Sequence, residues 1–314
     1  MKIHFDNVNL KSYSGPNSFA ARLANEFQQQ GHDVLRSSSD ADVSLVFIER
    51  SGFPLAKRYV HRLDGIWFKP SEFYNASNVN IRNTYTNANK VIFQSQFDKT
   101  MVEKHFGKHQ NTTVIKNGVK FQEYSISNDV NNTLSGLRHK YAKIFVSSAN
   151  WHSQKRLNEN IRLFQHIRRV IEPNSTLLVL GTNAIVSQDT NIENVFFTDS
   201  LSHEVCFAIY DIADWMIHLA WLDHCPNVVV EALSRNLPVI CSEDGGTKEL
   251  VQNYGLILKE QTEYKFELTD YDFPPTIDVS QVTNLPHKNI LGGAPNVDIF
   301  NIAKLYLETF ESIL

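Results

Sequence analysis

The chain has 314 residues, a net charge of −4, 42% hydrophobic residues and 20% charged residues. This balance is typical of a soluble globular protein, and the length suits one large domain or two domains of ordinary size. The charge gives no sign of a nucleic-acid-binding protein, and no apolar run approaches the roughly 18–20 residues that cross a bilayer.

The first residues and the three cysteines indicate a reducing compartment. The N-terminal segment has the pattern of a β-strand and lacks the basic and apolar regions of a signal peptide. Cys206, Cys225 and Cys241 form no disulfide framework and have no metal-ligand spacing. We therefore expect a cytoplasmic protein whose thiols stay reduced.

The first half of the chain alternates predicted strands and helices. A helix is predicted over residues 18–30, because Phe19, Leu23 and Phe27 share one stripe and Gly31 ends it. A second helix is predicted to follow a strand near residue 94. The predicted elements are strands over 2–6, 43–48, 59–63, 91–94 and 113–115, and helices over 18–30 and 96–106. This alternation predicts a doubly wound parallel sheet.

A polar, asparagine-rich segment from about residue 122 to residue 140 has little periodicity and is predicted to connect two domains. The same alternation then starts again. The predicted elements are strands over 144–148, 177–180, 195–197, 215–219 and 238–241, and helices over 157–171, 204–213 and 227–235. Two successive α/β sheets predict a cleft between two domains. Residues 260–296 show no clear pattern, although their prolines and Gly292-Gly293 mark loops. Residues 299–314 are predicted to form an amphipathic terminal helix.

The most informative segment is a predicted helix start with two carboxylates eight residues apart, Asp223 and Glu231. Pro226 suits the first turn of a helix, where its missing N–H costs nothing. The backbone amides of Asn227 and Val228 would then be free to attract an anion. Asp223 can accept hydrogen bonds from hydroxyl groups, and Glu231 lies one turn beyond Asn227 on the same face. These groups together predict a site for a polyhydroxylic ligand that carries a phosphate, such as a nucleotide sugar.

This segment, with the Leu-Pro-Val-Ile strand and the Gly-Gly turn after it, resembles the E-x7-E region of retaining, nucleotide-sugar-dependent glycosyltransferases of the GT-B fold, family 4-like (glycosyl transferases group 1). The family usually has glutamate where this chain has Asp223. The resemblance implies an α/β fold with two Rossmann-like domains that face each other across a cleft. It implies an acceptor-side domain over 1–135, a nucleotide-sugar-binding domain over 136–296, and a helix over 297–314 that packs back on the first domain.

Two further pieces resemble the same family in the first domain. Gly15 follows the first predicted strand, where a glycine lets the backbone approach a diphosphate. The segment Ser14-Gly15-Pro16 before the first helix looks like the family's opening loop. The Asn117-Gly118-Val119 segment is similar to the end of the family's first domain.

Lys155 resembles the lysine of the family's diphosphate-binding loop in the second domain. The family usually has an arginine five residues before that lysine, and this chain has Asn150 there. Either one cation is enough, or Arg156 or His152 substitutes for the missing arginine. The resemblance therefore implies Asn150, Lys155 and Arg156 as nucleotide-sugar-binding positions.

His61 and Asp64 are the candidate catalytic residues of the first domain. They lie at the end of a predicted strand and are expected to face the cleft, where they would contact the acceptor hydroxyl or the donor sugar. Arg62 could pair with Asp64, which leaves a structural salt bridge as the alternative for this loop.

The resemblance implies a hexosyltransferase-type enzyme that moves a sugar from a nucleoside-diphosphate sugar to a hydroxyl of a glycan or lipid-linked acceptor, as in polysaccharide biosynthesis. It assigns the diphosphate to Lys155 and Gly15, the sugar to Asp223 and the ribose to Glu231. No Asp-x-Asp metal motif stands in a suitable place, so no metal and no cofactor are expected. Two alternatives remain open: a nucleotide-sugar epimerase of the same architecture, and a non-catalytic nucleotide-sugar or glycan-binding protein. Peripheral membrane contact also stays open.

Overall fold

The computed structural model describes residues 1–12, 15–71, 73–121, 123–184, 192–287 and 291–314. Within these residues the chain forms two six-stranded sheets, and every neighbouring pair of strands is parallel. Apolar side chains cover both faces of each sheet. The predicted α/β fold with two Rossmann-like halves is confirmed.

The first sheet lies in the N-terminal half of the chain. Its elements are β1 (Lys2–Asp6), α1 (Gly15–Gln29), β2 (Asp33–Leu35), β3 (Val43–Phe47), β4 (Tyr59–Leu63), α2 (Tyr74–Asn87), β5 (Lys90–Phe93), α3 (Gln96–Phe106) and β6 (Thr112–Val114). The strands lie in the order β2-β1-β3-β4-β5-β6. Strand β3 is buried along its whole length, as expected for a parallel strand covered on both faces.

The second sheet follows the same plan. Its elements are α4 (Asn128–Lys140), β7 (Lys143–Ser148), α5 (Leu157–Val170), β8 (Ser175–Leu180), β9 (Val195–Phe197), α6 (His203–Ile212), β10 (Trp215–His218), α7 (Asn227–Ser234), β11 (Val239–Ser242), α8 (Thr247–Val251) and β12 (Gly255–Leu258). The strands lie in the order β12-β11-β10-β7-β8-β9.

The last helix, α9 (Ile299–Glu311), packs against the first domain. Tyr306 and Phe310 are fully buried in the same apolar cluster as Phe19 and Phe27 of α1. The rings of Phe27 and Phe310 lie 5.9 Å apart. The chain therefore crosses from the second domain back to the first before it ends.

The second part of the segment predicted to connect the two domains, residues 122–140, forms helix α4, which the sequence analysis did not predict. The hydroxyl of Ser127 caps this helix by accepting a hydrogen bond from the amide of Val130 at 3.4 Å. Leu134 is buried while most of the helix faces solvent, so hydrophobic periodicity does not reveal it. Residue 122, and residues 288–290 in the predicted C-terminal loops, lie outside the described residues.

The two domains meet closely beside helix α3. The Glu249 carboxylate of the second domain accepts hydrogen bonds from the backbone amides of Gln96 at 2.6 Å and Phe97 at 2.7 Å. Gly246 makes this approach possible, because a Cβ atom there would lie 2.5 Å from Oγ of Ser95, the N-cap residue of α3 in the first domain. The second domain thus supplies an acceptor for the otherwise unpaired amides at the start of a helix in the first domain.

Candidate active site

A cavity of about 850 Å³ lies between the two domains, where the strands of both sheets end. This is the usual position of a ligand site in open α/β sheets. Residues from both domains line it, and most of them have polar side chains. The first domain contributes Gly15, Arg62, Asp64, Gln94 and Asn117, and the second contributes Asn150, Lys155, His218, Asp223, Asn227, Val228 and Glu231.

The centre of the second domain's wall is an ion pair between Lys155 and Asp223. His218 at the end of β10 adds its Nε2 atom 3.6 Å from Oδ2 of Asp223. Burial alone would raise the pKa of the Asp223 carboxyl, but Lys155 and His218 hold that pKa well below its usual range. Burial lowers the pKa of His218, although Asp223 opposes the shift. Asp223 is therefore an ionised hydrogen-bond acceptor beside a cation and a neutral imidazole.

Helix α7 begins at the edge of this ion pair. Pro226 occupies its N-cap position, and Asn227 and Val228 supply its first backbone amides at the cavity wall. The Asn227 side chain donates a hydrogen bond to the carbonyl oxygen of Gly15 at 2.9 Å. It also accepts one from Asn117 at 3.0 Å, so both domains hold the helix start in place. The amides of a first helical turn favour anions, as the sequence predicted for this position.

Glu231 lies one turn further along α7 and pairs with Arg22 of helix α1 in the first domain. The side chain of Glu231 is 7% exposed and that of Arg22 is 15% exposed. This ion pair joins the two domains next to the cavity, because Glu231 lines the cavity wall.

The first domain presents a polar network around Asp64. Its Oδ1 atom accepts hydrogen bonds from Arg62 and from Gln94, the latter at 2.5 Å. Arg62 also donates to Asn117 at 2.7 Å and lies over the ring of Phe19 at 4.5 Å. Burial raises the pKa of the Asp64 carboxyl, although Arg62 lowers it in part. The predicted pairing of Arg62 with Asp64 is present, and Asp64 lines the cavity as well.

The expectation that His61 faces the cleft is wrong. Its side chain is fully buried, and Nε2 lies 2.7 Å from the carbonyl oxygen of Ile48. Burial lowers the pKa of His61 to about 4. Successive side chains of a strand point to opposite faces, so Arg62 reaches the cavity and His61 packs beneath the sheet.

Arg156 does not substitute for the missing arginine either. It adopts a left-handed backbone conformation with φ of 52° and is 3% exposed. Its guanidinium donates to both carboxylate oxygens of Glu260, at 2.7 Å and 3.0 Å. Asn150 lines the cavity, and its Oδ1 atom accepts hydrogen bonds from Thr182 at 3.0 Å and Asn183 at 2.9 Å. Lys155 and His152 are therefore the basic side chains that this loop presents to the cavity.

Part of the sequence and the overall fold are similar to those of known proteins. Residues 135–266 match the family model described as glycosyl transferases group 1. The matched segment contains the whole second sheet, from β7 to β12. An uncharacterized glycosyltransferase of Methanocaldococcus jannaschii is 28% identical over 178 residues, which cover 51% of this chain and 41% of that protein. The match thus spans less than half the length of this relative.

Solved structures share the fold over almost the whole chain. Sucrose-phosphate synthase from Thermosynechococcus elongatus is 13% identical, with a TM-score of 0.67 and coverage of 99% of both chains. Anabaena HepE in complex with UDP-glucose is 15% identical, with a TM-score of 0.67 and coverage of 99% of this chain and 100% of that one. At these identities the likeness establishes a common GT-B fold.

Within the residues that the structure describes, no group of three or more His, Cys, Asp or Glu side chains could hold a metal ion. No helix in the same ranges is long and apolar enough to cross a membrane. Cys206, Cys225 and Cys241 are free thiols. Ser14, which precedes Gly15 in the predicted diphosphate loop, lies outside the described residues.

Sequence reasoning missed four polar residues of this site. His218, Gln94, Arg22 and Asn117 all contact a predicted site residue. Asn117 was noted only as part of an Asn-Gly-Val segment. Two of the four could have been found from position alone, because Gln94 and His218 stand at the carboxyl ends of strands, where α/β proteins bind ligands.

Proposed function

We propose that this chain is a retaining, metal-independent glycosyltransferase that transfers a sugar from a nucleoside-diphosphate sugar to a hydroxyl acceptor. One observation carries the proposal: the Lys155–Asp223 pair stands at the start of helix α7, inside a cavity between two domains. A cation and free helix amides suit a diphosphate, and an ionised carboxylate beside them suits sugar hydroxyls.

The donor would lie along the second domain's wall. Lys155 and the first amides of α7, at Asn227 and Val228, would hold the diphosphate, with the Gly15 backbone approaching from the first domain. Asp223 would accept hydrogen bonds from the transferred sugar. Glu231, one turn along α7, would accept hydrogen bonds from the ribose hydroxyls. Because Asp223 stays ionised, it can accept hydrogen bonds throughout the physiological pH range.

The reaction would break the bond between the anomeric carbon and the diphosphate oxygen. The acceptor oxygen would form a new bond to that carbon on the same face of the sugar, and its proton would pass to the departing phosphate oxygen. Negative charge grows on the leaving group, so Lys155 would act mainly by electrostatic stabilisation of the transition state. A cavity closed by two domains would exclude water and limit hydrolysis of the donor.

The acceptor would enter from the first domain, where Asp64 lines the cavity. Burial raises the pKa of the Asp64 carboxyl. Such a carboxyl suits a hydrogen bond to the acceptor hydroxyl while that hydroxyl loses its proton to the departing phosphate oxygen. The proposed acceptor is a glycan or a lipid-linked glycan, as in polysaccharide or glycoconjugate assembly. Since HepE was crystallised with UDP-glucose, this donor is the first to test.

The test is a donor screen with UDP-, GDP-, ADP- and dTDP-sugars in the presence of EDTA. Release of nucleoside diphosphate and the shift in melting temperature are read together, first without acceptor and then with a panel of glycans. One donor should stabilise the protein and release diphosphate with EDTA present, and the product's anomeric configuration should match the donor's by nuclear magnetic resonance. No response to any donor would refute the proposal.

Variants make the screen specific. Lys155→Ala and Glu231→Ala should both impair turnover. The matched control is Lys143→Ala, because Lys143 pairs with Asp214 at 3.2 Å in the same domain but away from the cavity. Equal losses in the control and in the site variants would contradict the assignment. Conversion of the donor to its epimer without acceptor would identify an epimerase instead.

A further inference from the structure

We infer that Arg22 is a positioning residue that couples recognition of the donor's ribose to the closed arrangement of the two domains. The inference rests on the proposed function, in which Glu231 receives the ribose hydroxyls. Arg22 belongs to helix α1 of the first domain and Glu231 to helix α7 of the second, and their side chains form an ion pair.

Helices α1 and α7 meet at two levels. At the first level the Asn227 side chain donates to the carbonyl oxygen of Gly15 at 2.9 Å. At the second level Arg22 contacts Glu231. Gly15 and Arg22 are seven residues apart on α1, and Asn227 and Glu231 are four residues apart on α7. The two residues on each helix therefore share one face of that helix. A long side chain on a helix leans towards its N-terminus, which lets Arg22 span the longer interval and reach Glu231.

The ion pair leaves binding capacity on both partners. Oε1 of Glu231 accepts from Arg22, while Oε2 accepts no hydrogen bond from any residue that the structure describes. Nη1 of Arg22 is buried and has no acceptor in the same part of the chain. Glu231 lines the cavity, whereas Arg22 is not among its lining residues, so the free Oε2 atom is the one available to a ribose hydroxyl.

Arg22 would therefore act on the ligand through Glu231. An arginine keeps its charge at any accessible pH and holds a carboxylate in one orientation through its planar fork. The contact exists only when the two domains are together, so domain closure would fix the carboxylate that reads the ribose. By thermodynamic reciprocity, ribose binding would favour closure by the same factor.

The experiment compares nucleotides that differ in one hydroxyl. Binding of UDP, GDP and ADP and of their 2′-deoxy and 3′-deoxy counterparts is measured by calorimetry on the full chain. For the nucleotide that binds, the ratio of the deoxy Kd to the ribo Kd measures ribose recognition. We expect Glu231→Gln and Arg22→Gln each to lower this ratio about tenfold, equivalent to about 1.4 kcal/mol. The double variant should lower it little further, because both changes remove one coupled contact.

Two controls separate this role from a structural one. Arg22→Lys keeps the positive charge but lacks the planar guanidinium. Its ratio should therefore lie between those of Arg22→Gln and the wild type. Glu249→Ala removes a different interdomain contact, at the amides of Gln96 and Phe97, and should lower the ratio less than Arg22→Gln because it leaves the Arg22–Glu231 pair in place. Melting curves of the unliganded variants show which of them fold normally, and only those enter the comparison of ratios.

The remaining outcomes overturn the inference in distinguishable ways. An unchanged ratio in Arg22→Gln with a lowered ratio in Glu231→Gln would remove Arg22 from recognition and leave the proposed function intact. An unchanged ratio in Glu231→Gln would show that Glu231 does not read the ribose. An equal effect of Glu249→Ala would show that closure in general, and not Arg22, sets the ratio. Failure of every nucleotide to bind would refute the proposed function together with the inference.

Discussion

Replacement of Lys155 by methionine tests the centre of the proposed site. The substitution keeps the length and most of the apolar contacts of the side chain but removes its charge. Lys155 is 22% exposed and its partner Asp223 is 15% exposed, so the lost interaction is partly shielded from water. Loss of one preorganised group that stabilises charge in the transition state typically costs about 10²–10³ in kcat, or about 2.7–4 kcal/mol. We expect a loss in that range.

The same change should alter the pH dependence. Burial raises the pKa of Asp223, and Lys155 is the largest of the groups that lower it. In Lys155→Met the pKa should rise, so the remaining activity should fall with decreasing pH at values where the wild type is unaffected. The assay measures release of nucleoside diphosphate at saturating donor and acceptor over a range of pH. Lys143→Met is the matched control and should retain full activity, because Lys143 pairs with Asp214 away from the cavity.

A loss of less than tenfold in kcat would refute the assignment of Lys155 to the leaving diphosphate. A rise in KM with unchanged kcat would show that Lys155 contributes equally to ground-state and transition-state binding.

Three further predictions concern the packing that holds the site. Gly181→Ala should destabilise the fold by about 1–3 kcal/mol, because its Cβ would lie 1.9 Å from the carbonyl oxygen of Ala149 at a φ of +107°; an unchanged urea midpoint would contradict this. His224 lies 3.4 Å from Asp98; burial lowers its pKa, but Asp98, Asp223 and Asp64 together raise it by more, so the net pKa lies above 6.5. The charged pair therefore stabilises the fold fully below pH 6.5 and progressively less as the pH rises through the raised pKa, and the melting temperature of Asp98→Asn should approach that of the wild type at alkaline pH. Burial raises the pKa of the Cys225 thiol to about 12, so a thiol reagent at pH 8 should label this residue only after unfolding; labelling of the native protein, located by peptide mass, would show that the site opens.

The elements of the fold could be predicted closely wherever apolar patterning is strong. The strand at Tyr59–Leu63 and the helix at Gln96–Phe106 match their predicted bounds. Helix α4 escaped prediction because its polar, asparagine-rich sequence buries little more than Leu134. The short strand Asp33–Leu35 was missed for a related reason, since it lies at a sheet edge and is only partly buried.

The site was predictable where its residues follow one another in sequence and not where they meet across the fold. Asp223, Asn227 and Glu231 share one helix start, so their relation could be inferred from spacing. The partner of Arg156 is Glu260, about one hundred residues further along the chain. No local pattern predicts such a pair, and the basic side chain was therefore assigned to the ligand. Arg22 was missed for the same reason, because its partner lies in the other domain.

The capping of α3 by Glu249 makes two backbone amides sensitive to the opening of the domains. The amides of Gln96 and Phe97 lie at the start of a helix, so no turn of their own helix protects them from solvent. Their acceptor is a carboxylate carried by the other domain. Their hydrogen exchange should therefore follow the rate at which the domains separate, while amides in the middle of α3 exchange only when the helix unfolds. These two adjacent protons can report how often the cleft opens without any label added to the protein.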